Sequence, residues 1–323
     1  MAGPGIIERL HHLMDPLRVR LSGQEGLLPL ALLGLVCGLT TGVIIVAFRQ
    51  VIELSQGGIL PGGVPGGFES LGPWARLALC AGGGLLLGLA FQALPRAWRA
   101  VGVVHVMERM SYHQGRMPLP NAVVQFLGAA AAIICGHSVG REGPGIHLGA
   151  AAGSLTAVPL RLPNNAMRTL TACGVAASIA ASFNTPLAGV IFAMEVVMME
   201  YTLFGFTPVV MASVSATAVT QAVYGDAPAF SVPPLALGSL AELPVMVLAG
   251  VITGALAALF IRLVLATARR SAPWPVWLRM TLGGTVTGVL AMAVPEIMGV
   301  GYDTLNAILL GQYALAGLAA LAA

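Results

Sequence analysis

The chain contains no lysine: all 16 of its basic residues are arginine. A Gly-Lys-Ser/Thr nucleotide loop is therefore excluded, and the Gly140-x-x-Gly143 spacing is not one. Charge of either sign is scarce, at 9% of residues against about 25% in soluble domains. With 57% hydrophobic residues, this describes a polytopic helical membrane protein without a soluble domain of any size. No basic patch with interleaved aromatics occurs, which excludes a nucleic-acid partner. Cysteines are few: Cys37, Cys80, Cys135 and Cys173 stand singly in apolar runs, without metal or redox spacing, and read as small core residues. Residues 1–26 lack the apolar core of a signal peptide, holding Glu8, Arg9, His11, His12, Asp15, Arg18, Arg20 and Glu25. Ile6, Ile7, Leu10, Leu13 and Leu17 share one helical face there, so a short amphipathic helix on the cytoplasmic surface is expected.

What the chain has in abundance is glycine (41) and proline (21), and both lie inside apolar segments, where broken membrane helices tolerate them. Those segments run over 27–48, 76–95, 121–136 with 144–160, 166–181 with 186–199, 204–223, 243–266, 278–294 and 303 to the end. Several are shorter than the ~20 residues of a straight span, which favours tilted and broken helices. Arginines cluster before 27, over 96–116 and over 262–279, whereas 51–75 and 223–242 have none. The positive-inside bias puts the first group of segments, and the N-terminus, in the cytoplasm. The span 27–48 then starts inside and the span 243–266 ends inside, so the two run in opposite directions.

These spans also resemble each other. Gly38, Thr41, Gly42 and Phe48 recur at equal spacing as Gly250, Thr253, Gly254 and Phe260. In the following spans Gly83, Gly84, Gly88, Ala93 and Pro95 recur as Gly283, Gly284, Gly288, Ala293 and Pro295, and Gly102 lines up with Gly301. Matching order with reversed direction predicts an all-α fold of two inverted repeats, whose broken helices place ligand sites near the midplane. The division expected is an N-terminal segment 1–26, a first repeat 27–223, an extracytoplasmic linker 224–242 and a partial second repeat 243–323. Nothing after Ala323 mirrors 136–200, so the second repeat reads as incomplete and the chain as truncated.

One break carries charge at membrane depth. Between the apolar runs 123–135 and 150–160 stands Gly136-His-Ser-Val-Gly-Arg-Glu-Gly-Pro-Gly-Ile-His-Leu-Gly149. A charged side chain at the bilayer centre costs about 2.5–3.5 kcal/mol on insertion scales, so Arg141 and Glu142 are expected to line a pathway. Gly140 and Gly143 permit a turn, and Pro144 suits the first position of a new helix. Unpaired amides over Glu142, Gly143, Gly145 and Ile146, with the positive dipole end, then make an anion site from backbone. The plainer alternative is that Glu142 only caps the following helix.

Gly140-Arg141-Glu142-Gly143-Pro144, followed by Phe183-Asn184-Thr185-Pro186-Leu-Ala-Gly189 and an apolar run to Glu195, resembles the CLC family of chloride channels and proton-coupled chloride exchangers. The likeness covers essentially the whole chain. It implies a homodimer in the bacterial inner membrane, one anion pathway per subunit, chloride as the transported ligand, no cofactor and no enzymatic activity. It also implies that Glu142 is the gate: its carboxylate occupies an anion site at a helix N-terminus and leaves when protonated or displaced. A carboxylate alone among these side chains can stand in for a bound anion and be neutralised by one proton.

The chain departs from the family at three places. Where the family has Gly-Ser-Gly-Ile-Pro, this sequence reads Ala100-Val101-Gly102-Val103-Val104, so Val101 replaces the serine that contacts the central anion. The later Gly-x-Phe-x-Pro motif and the tyrosine of the central site would fall beyond Ala323. Exchangers carry a second proton glutamate where this chain has Val196, and Met194-Glu195-Val196 looks like the channel members. Uncoupled, channel-like anion transport is thus the first expectation and proton-coupled antiport the alternative. Glu195 reads chiefly as a structural hydrogen-bonding residue, with a proton role as its second reading. An intramembrane metal enzyme using His137, Glu142 and His147 is a distant third, lacking a His-Glu-x-x-His helix.

Overall fold

A computed structural model describes residues 19, 21, 26–230, 232 and 238–313. The amphipathic helix expected over Ile6 to Leu17, and the residues after 313, lie outside the described residues. Among the described residues all regular structure is helical. In chain order the helices are α1 (Leu27–Ile59), α2 (Pro73–Ala93), α3 (Gly102–Tyr112), α4 (Leu119–Ile134), α5 (Glu142–Ala157), α6 (Asn164–Phe183), α7 (Pro186–Phe192), α8 (Leu203–Tyr224), α9 (Leu243–Ser271), α10 (Val276–Ala293) and α11 (Tyr302–Leu309). Six of them, α1, α2, α6, α8, α9 and α10, are long and apolar enough to cross a membrane. The remaining helices are short, as the Gly/Pro breaks require. Proline in the first turn starts α2, α7 and α9, where its missing N–H costs nothing.

The core is built around α6, which α1, α5, α7 and α8 surround. Leu170, Ala172, Cys173, Val175, Ala176 and Ala177 on this helix are fully buried. Small residues let the backbones touch. A Cβ placed on Gly149 of α5 would lie 2.8 Å from the carbonyl carbon of Gly174 on α6. Along α1, Gly34, Gly38 and Gly42 form one ridge against Pro208, Ala212 and Ala216 of α8. All four cysteines are free thiols, three of them buried, as expected of core residues.

The inverted repeat is visible in how α2 meets α10. Gly84 packs on Met280 and Gly284 on Cys80; Gly88 packs on Trp277 and Gly288 on Leu77. The helices are therefore antiparallel, and each contact has a reciprocal in which the two repeats exchange places. That is the pattern of a self-complementary twofold interface, formed here within one chain. Arg76 closes one end of it, donating to the carbonyls of Phe68, Glu69 and Ala291 at 3.2, 2.8 and 3.1 Å. The other matched pair behaves differently. Gly38 and Gly42 are covered by α8, whereas a Cβ on Gly250 or Gly254 of α9 would meet nothing within 4 Å.

Candidate functional site

The break between α4 and α5 is turned by Gly136 (φ +75), not by Gly140 and Gly143, which have no left-handed backbone. Helix α5 begins at Glu142, two residues before the expected start, so Pro144 sits inside its first turn. Gly145 N–H already donates to the Arg141 carbonyl at 2.9 Å. Only the amides of Glu142 and Gly143 are then left without an intrahelical acceptor, fewer than the run to Ile146 suggested. The Ile146 side chain is buried in the core.

Val101 precedes α3 in extended conformation, and Gly102 opens the helix at φ +81. This segment is held by α4: Asn121 Nδ2 donates to the Ala97 and Ala100 carbonyls at 2.8 Å, and Gly102 N–H donates to Gln125 Oε1 at 2.6 Å. Gln125 thereby occupies the Gly102 N–H at the start of α3, which an anion at this segment would otherwise use. Val103 Cγ2 lies 3.9 Å from where a Cβ on Gly143 would stand. The N-termini of α3 and α5 thus lie side by side.

The Glu142 carboxylate folds back over Gly140, and a Cβ there would overlap Oε2. The absence of a side chain at Gly140 therefore makes room for the carboxylate, a role different from the turn expected of it. Its Oε1 accepts a hydrogen bond of 2.6 Å from the Tyr302 hydroxyl. Tyr302 is the first residue of α11 and follows Gly301 (φ +75), the repeat counterpart of Gly102. Gly299 N–H donates to the Gly136 carbonyl at 3.2 Å, tying the approach to α11 onto the break itself. The Arg141 guanidinium lies over the Tyr302 ring, 4.4 Å from its centroid, and Phe183 and Phe230 pack on the same ring. Arg141 Nε is buried with no hydrogen-bond partner.

Outside this cluster opens a cavity of about 570 Å³, whose lining includes Arg49, Glu53, Arg141, Asn184, Tyr224 and Tyr302. It is framed by the arginine-poor connections after α1 and after α8. Arg49 pairs with Glu53 and lies 3.8 Å over the Tyr224 ring.

The remaining expected residues lie elsewhere. His137 Nε2 bonds the Cys80 carbonyl at 2.9 Å, and His147 Nε2 shares a 2.9 Å hydrogen bond with His105 Nδ1. His137, Glu142 and His147 therefore turn to three different partners, and no group of three or more His, Cys, Asp or Glu that could hold a metal occurs among the described residues. Glu195 and Val196 lie in a π-helical turn, Ala193–Met198, that continues α7, and both are exposed. Neither joins the Glu142 cluster.

Tyr302→Phe tests the cluster directly, because it keeps the ring for Arg141 and removes only the hydroxyl. A hydrogen bond to a charged group contributes about 1.5–3 kcal/mol, so the equilibrium holding the carboxylate in place should shift about tenfold or more. With Glu142 as the gate that the resemblance implies, anion efflux from liposomes should rise accordingly. Unchanged efflux would make the bond incidental.

A family model described as Voltage gated chloride channel matches residues 82–323. A protein of Ralstonia nicotianae named as a ClcB-like chloride channel protein is 31% identical over 290 residues, covering 87% of this chain and 67% of that protein. A voltage-gated ClC-type chloride channel, ClcB, of Escherichia coli is 28% identical over 290 residues, covering 86% and 68%. Among solved structures, a slow cyanobacterial Cl−/H+ antiporter superposes with TM-score 0.71 at 20% identity, covering 86% of this chain and 67% of that one. A CLC-type fluoride/proton antiporter superposes with TM-score 0.73 at 23% identity, covering 90% and 72%.

Proposed function

The chain belongs to the voltage gated chloride channel family, and from that premise we propose that it carries chloride or a similar small anion passively, through a pathway gated by Glu142. The observation that carries the gate is the Glu142 carboxylate at the start of α5, beside the buried, unpaired Nε of Arg141 and below an open cavity. A buried donor without a partner is costly, and a passing anion would satisfy it. The carboxylate holds the place until a proton or an anion displaces it. The protein would act as a homodimer in a bacterial inner membrane, N-terminus cytoplasmic and the cavity extracytoplasmic, in keeping with its arginine distribution. Neither a cofactor nor a covalent step enters this reading.

Uncoupled transport draws on Val196, which carries no titratable group. In a planar bilayer the current should then reverse at the chloride equilibrium potential and stay there when a pH gradient is imposed. Proton-coupled exchange is favoured by one observation, the buried His105–His147 pair, since titratable groups inside a membrane often mark proton routes. A reversal potential that moves with pH would replace the first reading by the second.

At residues 101–104 the proposed site offers an anion backbone dipoles without the serine hydroxyl, so millimolar or weaker chloride affinity and poor discrimination among chloride, bromide and nitrate are expected. Val101→Ser should supply the missing donor and tighten chloride binding about fivefold, one hydrogen bond of ~1 kcal/mol. Calorimetric titration of both proteins reads this. No gain from the hydroxyl would mean that residue 101 does not face the ion.

A further inference from the structure

At the other end of the α2–α10 pair, the turn after α2 and the turn joining α9 to α10 border a second, open pocket of about 450 Å³. Arg96, Arg99, Arg279, Gln92 and Trp274 contribute to its lining, which contains no carboxylate. Arg99 is fixed by the carbonyls of Gln92 and Leu94, at 2.7 and 2.8 Å. Arg96 and Arg279 have no hydrogen bond or ion pair from their guanidinium groups among the described residues. The cavity also takes in the start of α10, where Gln92 Oε1 accepts the Trp277 N–H at 3.3 Å. The amides of Val276 and Leu278 have no intrahelical acceptor there. Three guanidinium groups and a helix N-terminus converging without a negative partner repel one another and favour an anion between them.

The surroundings say which anion. Trp274, which lines the pocket, is 46% exposed, as suits an indole at a membrane–water interface. From the pocket, α2 presents exposed Leu86 and Leu89, and α10 presents exposed Leu282 and Val286, an apolar wall for acyl chains. The volume is within the range of small-molecule sites. We propose that this pocket binds the phosphate headgroup of an anionic phospholipid, with its acyl chains laid along α2 and α10. The lipid would clamp the two repeats together at their arginine-rich ends, opposite the Arg76 staple.

The test is lipid retention by the full chain in native mass spectrometry, titrated with phosphatidylglycerol or phosphatidylcholine of matched chains. Phosphatidylglycerol should be held preferentially. Arg96→Gln with Arg279→Gln should lose about thirtyfold, since each arginine near an anionic lipid surface contributes roughly fivefold. Arg262→Gln with Arg270→Gln, an equal change of charge outside the pocket, should lose far less. Equal losses in the two double variants would overturn the site. Displacement of the lipid by inorganic phosphate at comparable concentration would also overturn it, assigning the pocket to a soluble anion instead. A measurement on the unaltered protein stands beside these in case a variant does not fold. Phosphatidylglycerol brominated in its acyl chains should quench tryptophan fluorescence more than the brominated phosphatidylcholine does, and equal quenching counts against the proposal.

Discussion

Replacing Glu142 with alanine is expected to abolish the acid dependence of anion flux and to leave the flux itself intact or raised. Alanine cannot compete with an anion for the start of α5, and no proton is needed to remove it. Glu142→Gln should behave similarly, because an amide carries no negative charge. The geometry adds a consequence for Tyr302, whose hydroxyl loses its acceptor and becomes a free donor. Liposome efflux at two pH values, on protein shown to be folded, is the measurement. Complete loss of flux in folded Glu142→Ala protein would reduce the residue to a helix cap and remove the proposed gate.

Gly174→Val should have the largest effect on folding. A Cβ at Gly174 would stand 2.6 Å from the Gly149 carbonyl carbon, closer still to its oxygen, and 3.1 Å from the Gly153 nitrogen. Backbone atoms of a packed helix cannot swing aside as a flexible side chain can, so α5 has to move away from α6. Overpacking a core commonly costs 1–3 kcal/mol, and roughly the top of that range or more is expected here, against a total stability of about 5–15 kcal/mol. The displacement would also carry Glu142 away from Tyr302. Monodisperse protein should largely disappear on size exclusion, whereas Gly82→Val, where a Cβ meets nothing within 4 Å, should be tolerated. Equal yields from the two variants would refute the tight contact between α5 and α6.

The parts of this architecture that sequence reveals are those written in local spacing. Glycines repeated at equal intervals, reversed arginine bias and a charged break at membrane depth sufficed for the inverted repeat and for placing Glu142 at a helix start. The α2–α10 reciprocity then follows from the same glycines, since only matched small residues let the two repeats exchange roles. What stayed hidden lies in long-range pairing. Tyr302 reaches Glu142 across 160 positions, and His105 meets His147 across 42, distances over which no periodicity speaks. One signal for Tyr302 existed: Gly301 aligns with Gly102, and a helix opens at this glycine in each repeat, at Gly102 itself in the first and at Tyr302, the next residue, in the second. The glycines of the break misled because Gly136, Gly140 and Gly143 can each turn a chain, and the tight packing of Phe68 and Met298 on Gly136 is a tertiary feature that local spacing does not carry.

The α2–α10 interface also sets a timetable for biosynthesis. Arg76 enters the bilayer with α2, yet its acceptor on Ala291 lies 215 residues downstream. At about 5–20 residues per second of translation, that acceptor is made roughly 10–40 s later. Through that interval the guanidinium has only the nearby carbonyls of Phe68 and Glu69, and the glycine face of α2 has lipid where its partner will be. Until α10 arrives, Arg76 therefore lacks one of its three carbonyl acceptors and the glycine face of α2 lacks its helix partner.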